Sequence, residues 1–313
     1  PQSLEEVKTS FGSFGNQTIK VRPVDYTKTP IYNVVKHHPE DYEYLDKVEV
    51  SSIAHLSDGL FLTGLMVKPK KTGNYPIIVF NRGGNRNLGA LVVATAVNIM
   101  APIAAEGYVV VATNYRGNSR GEGKEEYGGD DVNDVVNLIN SMSEIEMADT
   151  SKIGLLGLSR GGMMNYLTLK KNYTNNIRAA INIGGIADLA TTIKYHPQIE
   201  EVANDLIPNF SENRTLEIQK RSAIQWASEL PKTAPLLILH GMKDQHVNYA
   251  QIPAFTDSLK KYHIPFKSLS FRNGNHGIVE YKEEVFKLIN NWFRRYVKES
   301  LEFDEAENRE IVE

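Results

Sequence analysis

Cysteine is absent from this chain of 313 residues. That absence removes disulfides, thiolate nucleophiles and thiolate-ligated metals as sources of stability or chemistry. A basic run is missing too: 35 Lys and Arg stand against 38 Asp and Glu, a formal charge of −3, which argues against nucleic acid as a main partner. No long apolar run occurs either. The most hydrophobic stretch, Leu91 to Ala105, is interrupted by Asn98 and Pro102; it is too short to span a membrane and reads as a buried helix. What remains is the composition of a soluble globular chain, 41% hydrophobic and 23% charged, with enough apolar residues for one large core. The first residue is Pro1 rather than Met, which we read as the trace of a removed leader and hence of export.

Residues 1–47 show no clear hydrophobic period and read as an extended arm. From Val48 the pattern changes. Two alternating runs flank Ser57-Asp58-Gly59, the signature of a β-hairpin. Apolar strands and amphipathic helices then alternate: strand 76–80, helix 88–106, strand 109–113, helix 131–143 with Asp130 or Asp131 as its N-cap, strand 153–156 and a helix to Lys171. Strands 179–183, 236–239 and 266–271 follow, with helices at 250–261 and 279–297. Such alternation predicts an α/β fold with a mainly parallel twisted sheet, helices on both faces and the hairpin at one edge. Residues 187–233 form one large helical insertion, expected to cap the site, so the catalytic domain is placed at 48–298. The last fifteen residues hold seven acids and one arginine and read as an acidic tail, 299–313, frayed into solvent.

Chemistry enters at Gly157-Leu158-Ser159-Arg160-Gly161-Gly162. A strand running into Gly-x-Ser-x-Gly and then a helix is the pattern of a nucleophile elbow. A serine nucleophile needs a base, and the base needs a carboxylate to hold its tautomer. Asp244 follows the strand 236–239, and His276 lies in the loop between the last strand and the last helix. The order Ser, acid, His and the loop positions are those of the α/β-hydrolase fold. Asp188, after the preceding strand, is the rival acid. An oxyanion hole needs two donors. The Arg160 N–H at the start of the elbow helix is one; the loop Asn81-Arg82-Gly83-Gly84-Asn85 supplies the other. Asp130, Asp131 and Asp134 read as the cap and solvated face of a helix rather than as metal ligands. Tyr195, Trp226 and His246 are candidates for the substrate pocket. The chemistry calls for no cofactor or metal.

The run Asn114-Tyr115-Arg116-Gly117-Asn118-Ser119, the elbow, Arg221-Ser222-Ala223-Ile224, His240-Gly241-Met242-Lys243-Asp244-Gln245-His246-Val247 and Gly274-Asn275-His276-Gly277 together resemble the catalytic domain of the prolyl oligopeptidase (S9) family. The resemblance covers about residues 48–297 and implies Ser159, Asp244 and His276 as the triad. Members of that family usually carry an N-terminal β-propeller, which the short stretch before residue 48 does not provide. Many also place a tyrosine hydroxyl in the oxyanion hole where this chain has Arg82. The second donor is therefore the backbone N–H of Arg82 or Gly83, or the Arg82 guanidinium. The expected activity is acyl-enzyme hydrolysis of peptide or amide bonds in a small-molecule or short peptide substrate. Carboxylic ester hydrolysis on the same triad is the alternative, and a non-catalytic binding protein on a hydrolase scaffold is a remote one.

Overall fold

The computed structural model describes residues 2–171 and 176–312. Its frame is one ten-stranded sheet. Helix α1 (Leu4–Phe11) and strand β1 (Ile19–Pro23) precede the hairpin β2 (Val48–Ser57) and β3 (Leu60–Pro69). Strands β4 (Tyr75–Asn81) and β5 (Val109–Thr113) flank helix α2, residues 93–105. Then come α3 (Asp131–Ser141), β6 (Ala148–Leu158), α4 (Arg160–Lys171) and β7 (Ile177–Ile183). The insertion holds α5 (Leu189–Tyr195), α6 (Gln198–Leu206) and α7 (Phe210–Lys220). Strand β8 (Leu236–Gly241), α8 (Gln251–Lys261), β9 (Phe266–Phe271), α9 (Lys282–Phe293) and β10 (Arg309–Val312) complete the chain. The strand order is 1-2-3-5-4-6-7-8-9-10. The first three neighbour pairs are antiparallel and the rest parallel.

The hairpin forms because Asp58 and Gly59 both take positive φ, 52° and 81°, the turn whose twist matches that of the paired strands. The central strands are buried on both faces, so β4 reads Pro-Ile-Ile-Val-Phe without alternation. Two apolar layers cover them. One joins α3, α4, α8 and the insertion; the other joins α2 and α9.

Several expectations need correction. The arm is not without structure: Ser3 and Glu6 form a reciprocal capping box that starts α1. Val7, Leu4, Phe11 and Phe14 then pack around Phe61 and Ala54, and β1 adds a strand to β2. The acidic tail does not fray, since residues 309–312 pair with β9. The expected helix at 88–106 begins only at Val93. Within it, residues 96–100 form a π turn, because Pro102 has no N–H to give to the Asn98 carbonyl one turn back. Asp130 makes no side-chain cap to α3.

Candidate active site

The parallel strands end on one rim, and three of their loops meet there. At the end of β6 the chain turns so tightly that Ser159 sits at φ +58°, a strained conformation that costs about 1–3 kcal/mol and persists where the surroundings enforce it. The surroundings here are backbone. A Cβ on Gly161 would lie 1.9 Å from the Asn81 carbonyl oxygen, and one on Gly157 would lie 2.4 Å from that of Gly161. Only glycine fits either place. The Ser159 N–H donates to Ile183 O at 2.9 Å, which ties the elbow to β7.

Asp244 lies beyond β8. One carboxylate oxygen accepts the N–H groups of His246 and Val247, at 2.7 and 2.9 Å; the other accepts from His276 Nδ1 at 2.7 Å. Burial opposes ionisation of Asp244, but the His276 bond and charge, the Val247 N–H and nearby His240 outweigh it and hold the carboxyl below its ordinary range. His240, itself buried, stays neutral because burial pushes its pKa down, and its Nε2–H donates to Val247 O at 2.8 Å. The rival acid Asp188 is occupied elsewhere, capping α5 through Ala190 N and Thr191 Oγ1.

Ser159 and His276 line one cavity of about 810 Å³, together with Gly83, Gly84, Arg160 and His246. Its walls are mainly apolar, from Phe80, Leu88, Ile99, Leu158, Ile186 and Ile199. No aspartate or glutamate among the described residues lines it. His246 meets the His276 ring edge-on, with centroids 5.0 Å apart. The other two pocket candidates lie elsewhere. Tyr195 is 46% exposed with Lys194 over its ring, because it ends α5 on the outward side. Trp226 is buried in the core beneath the insertion, its indole N–H donating to Gln219 O.

The oxyanion loop also departs from expectation. The Arg82 guanidinium is buried, donating to the carbonyls of Gly83, Arg86, Leu88 and Asn114 at 3.0–3.1 Å. Both of its terminal NH2 groups are thus taken by the protein's own backbone, and the Nε–H is buried. The N–H groups of Gly83 and Arg160, by contrast, donate to no acceptor among the described residues.

The profile described as the prolyl oligopeptidase family matches residues 95–300, well over half of the chain. The chain belongs to the prolyl oligopeptidase family. It is a serine hydrolase of the α/β-hydrolase fold, as its relatives indicate. An uncharacterized peptidase of Bacillus subtilis is 27% identical over 229 residues, covering 73% of this chain and 86% of its own. Human acylamino-acid-releasing enzyme is 26% identical over 246 residues, covering 73% of this chain but 32% of its own length. A solved acylaminoacyl peptidase in complex with Z-Gly-Gly-Phe-chloromethyl ketone superposes with a TM-score of 0.69 at 25% identity, over 83% of this chain and 44% of its own. The acylaminoacyl peptidase of Pyrococcus horikoshii shares the fold with a TM-score of 0.70, at 24% identity over 87% of this chain and 46% of its own. This chain thus spans under half the length of those larger peptidases. No helix among the described residues is long and apolar enough to cross a membrane.

One part of this prolyl oligopeptidase-family site escaped the sequence reading. Asp131 and Asp134 do not face solvent: both are fully buried, Asp131 against Arg160 and Asp134 against Arg116. The signal was present. Positions 131 and 134 share the inward face of α3 with Val135 and Leu138, and a charge in phase with the apolar stripe calls for a buried partner.

Proposed function

We propose that this chain is a serine peptidase in which Ser159, His276 and Asp244 form the catalytic triad. The observation that carries the reading is the 2.7 Å Asp244–His276 bond, with His276 at the wall of the cavity that Ser159 also lines. With Nδ1–H committed to Asp244, the Nε2 lone pair is the base. It takes the Ser159 proton as Oγ attacks the scissile carbonyl, and the imidazolium then protonates the leaving amine. Water repeats the sequence to release the acyl group.

The oxyanion donors are the Arg160 and Gly83 N–H groups. A Cβ on Gly83 would sit 3.0 Å from Ser159 Cβ, so the loop lies against the nucleophile. The mainly apolar wall, which no carboxylate among the described residues lines, fits a neutral acyl group, such as an N-blocked residue of a short peptide; His246 stands beside His276. We take 48–298 as the catalytic domain, 187–233 as its cap, and 1–47 and 299–313 as segments packed on it.

The deciding experiment compares N-acylated aminoacyl p-nitroanilides, free aminoacyl p-nitroanilides and short-acyl p-nitrophenyl esters, with Ser159→Ala as control. Faster turnover of the blocked anilides supports the reading. Turnover of esters alone would move the assignment to ester hydrolysis, and full activity in Ser159→Ala, or no labelling of the wild type by a fluorophosphonate, would remove the site altogether.

A further inference from the structure

The oxyanion loop is backed by more buried polar chemistry than a turn requires. Tyr115, on the loop after β5, is fully buried at φ +58°, a region that bulky side chains avoid. Its hydroxyl donates to the Arg82 carbonyl at 3.2 Å. In a trans peptide the carbonyl and the following N–H point in opposite directions. Holding the Arg82 carbonyl therefore fixes the plane of the Arg82–Gly83 peptide, and with it the direction of the Gly83 N–H, which donates to no acceptor among the described residues. Burial pushes the phenol pKa up, so the hydroxyl remains a donor throughout the neutral range. The ring is wedged between two guanidinium groups, those of Arg82 and Arg160, at 5.0 and 4.9 Å from its centroid.

A second anchor grips the far side of the loop. Arg160, the residue after the nucleophile, is buried, donates to Gly84 O at 3.1 Å and pairs with Glu125. The other Glu125 oxygen accepts the Arg86 N–H at 2.7 Å and Asn118 Nδ2 at 3.0 Å. One carboxylate thus links the elbow's side chain to the loop's backbone. Tyr115, Glu125, Arg86 and Asn118 do not line the cavity in which an acyl group would sit.

We propose that Tyr115 and Glu125 are positioning residues that aim the Gly83 and Arg160 N–H groups at the oxyanion, acting through Arg82 O on one side and through the Arg160 side chain on the other. The proposal rests on the reading of the site given above. Neither residue touches substrate, so both act on the transition state and leave ground-state binding alone.

Tyr115→Phe keeps the ring and both cation contacts and removes one O–H. Its kcat is expected to fall about tenfold, less than the ~10²–10³-fold loss that follows removal of a whole oxyanion donor. KM should stay within about twofold, the signature of an interaction made only in the transition state. Affinity for a peptidyl trifluoromethyl ketone, whose hemiketal carries the oxyanion, should weaken by the same factor as kcat/KM, while the pH midpoint of kcat/KM stays in place. Glu125→Gln keeps an acceptor for Arg86 but lets go of the Arg160 charge, and should give the same pattern. Melting curves establish that each variant is folded; if Tyr115→Phe is not, Glu125→Gln decides. A folded variant with wild-type kcat and wild-type ketone affinity overturns the proposal. Should that happen while Ser159→Ala is inactive, only the aiming device is lost; should Ser159→Ala remain active, the site reading fails with it.

Discussion

Replacing Asp244 by Asn is a sharper test of the triad than deleting the side chain, because the structure dictates which way the amide must face. One oxygen of Asp244 accepts two backbone N–H groups, at 2.7 and 2.9 Å. An asparagine has one oxygen, and those two donors will claim it. Turning the amide round would forfeit both bonds and set an NH2 against two N–H groups, a cost of about 2–3 kcal/mol at ordinary hydrogen-bond values. The NH2 therefore points at His276 Nδ1, where it can only donate. That places the imidazole proton on Nε2, the nitrogen proposed to take the Ser159 proton, and removes the base. The productive orientation is held to a few per cent at most, and the lost charge no longer supports the imidazolium. Together these put the fall in kcat at roughly 10⁴-fold, as for the same substitution in a serine protease triad. Turnover of a blocked aminoacyl p-nitroanilide and the rate of fluorophosphonate labelling should drop in parallel, with the protein still folded. A folded Asp244→Asn within tenfold of wild type would refute the assignment of the acid and the tautomer argument with it.

Gly161→Ala should disrupt the elbow, since its Cβ would fall 1.9 Å from the Asn81 oxygen and backbone must move; a loss of about 1–3 kcal/mol in urea unfolding together with loss of turnover is expected. Acid stability should be limited by His55, which is fully buried and whose pKa burial lowers to about 4. A histidine depressed in the folded state contributes nothing above its unfolded value near 6.5, and costs stability as pH falls from there toward 4. The full cost is about 3 kcal/mol. His55→Gln should flatten the urea midpoint across that window; an unchanged slope would show that His55 does not set it. Asp134→Asn removes the charge that faces the buried Arg116 guanidinium, with Asp58 as its remaining close partner. It should cost up to about 3–5 kcal/mol in the same assay, and a change under 1 kcal/mol would mean that Asp58 compensates.

Much of this architecture was legible because it is written in local patterns. Alternation marked the hairpin, apolar runs bounded by turns marked the parallel strands, and glycines at 157 and 161 marked a turn that tolerates no side chain. Strand order could place Ser159, Asp244 and His276 on one rim, since parallel strands put all their carboxyl-end loops on the same side. The arm was misread although its capping box, Ser3 and Glu6, is a local signal; the helix is only two turns long and its apolar side is completed by Phe61 from the hairpin. The tail was misread because its acids suggest repulsion, whereas pairing with β9 depends on where that edge lies.

By itself, then, the amino-acid sequence determined the fold class, the elbow and the order of the proposed triad residues, all of which follow from periodicity and spacing along the chain. Only the tertiary structure decided which polar groups meet. It turned the Arg82 guanidinium onto four carbonyls, carried Trp226 into the core and brought Asp131 and Glu125 to Arg160. Such pairings join residues far apart in the chain. A charge is buried only when folding delivers its partner, and no local pattern names that partner.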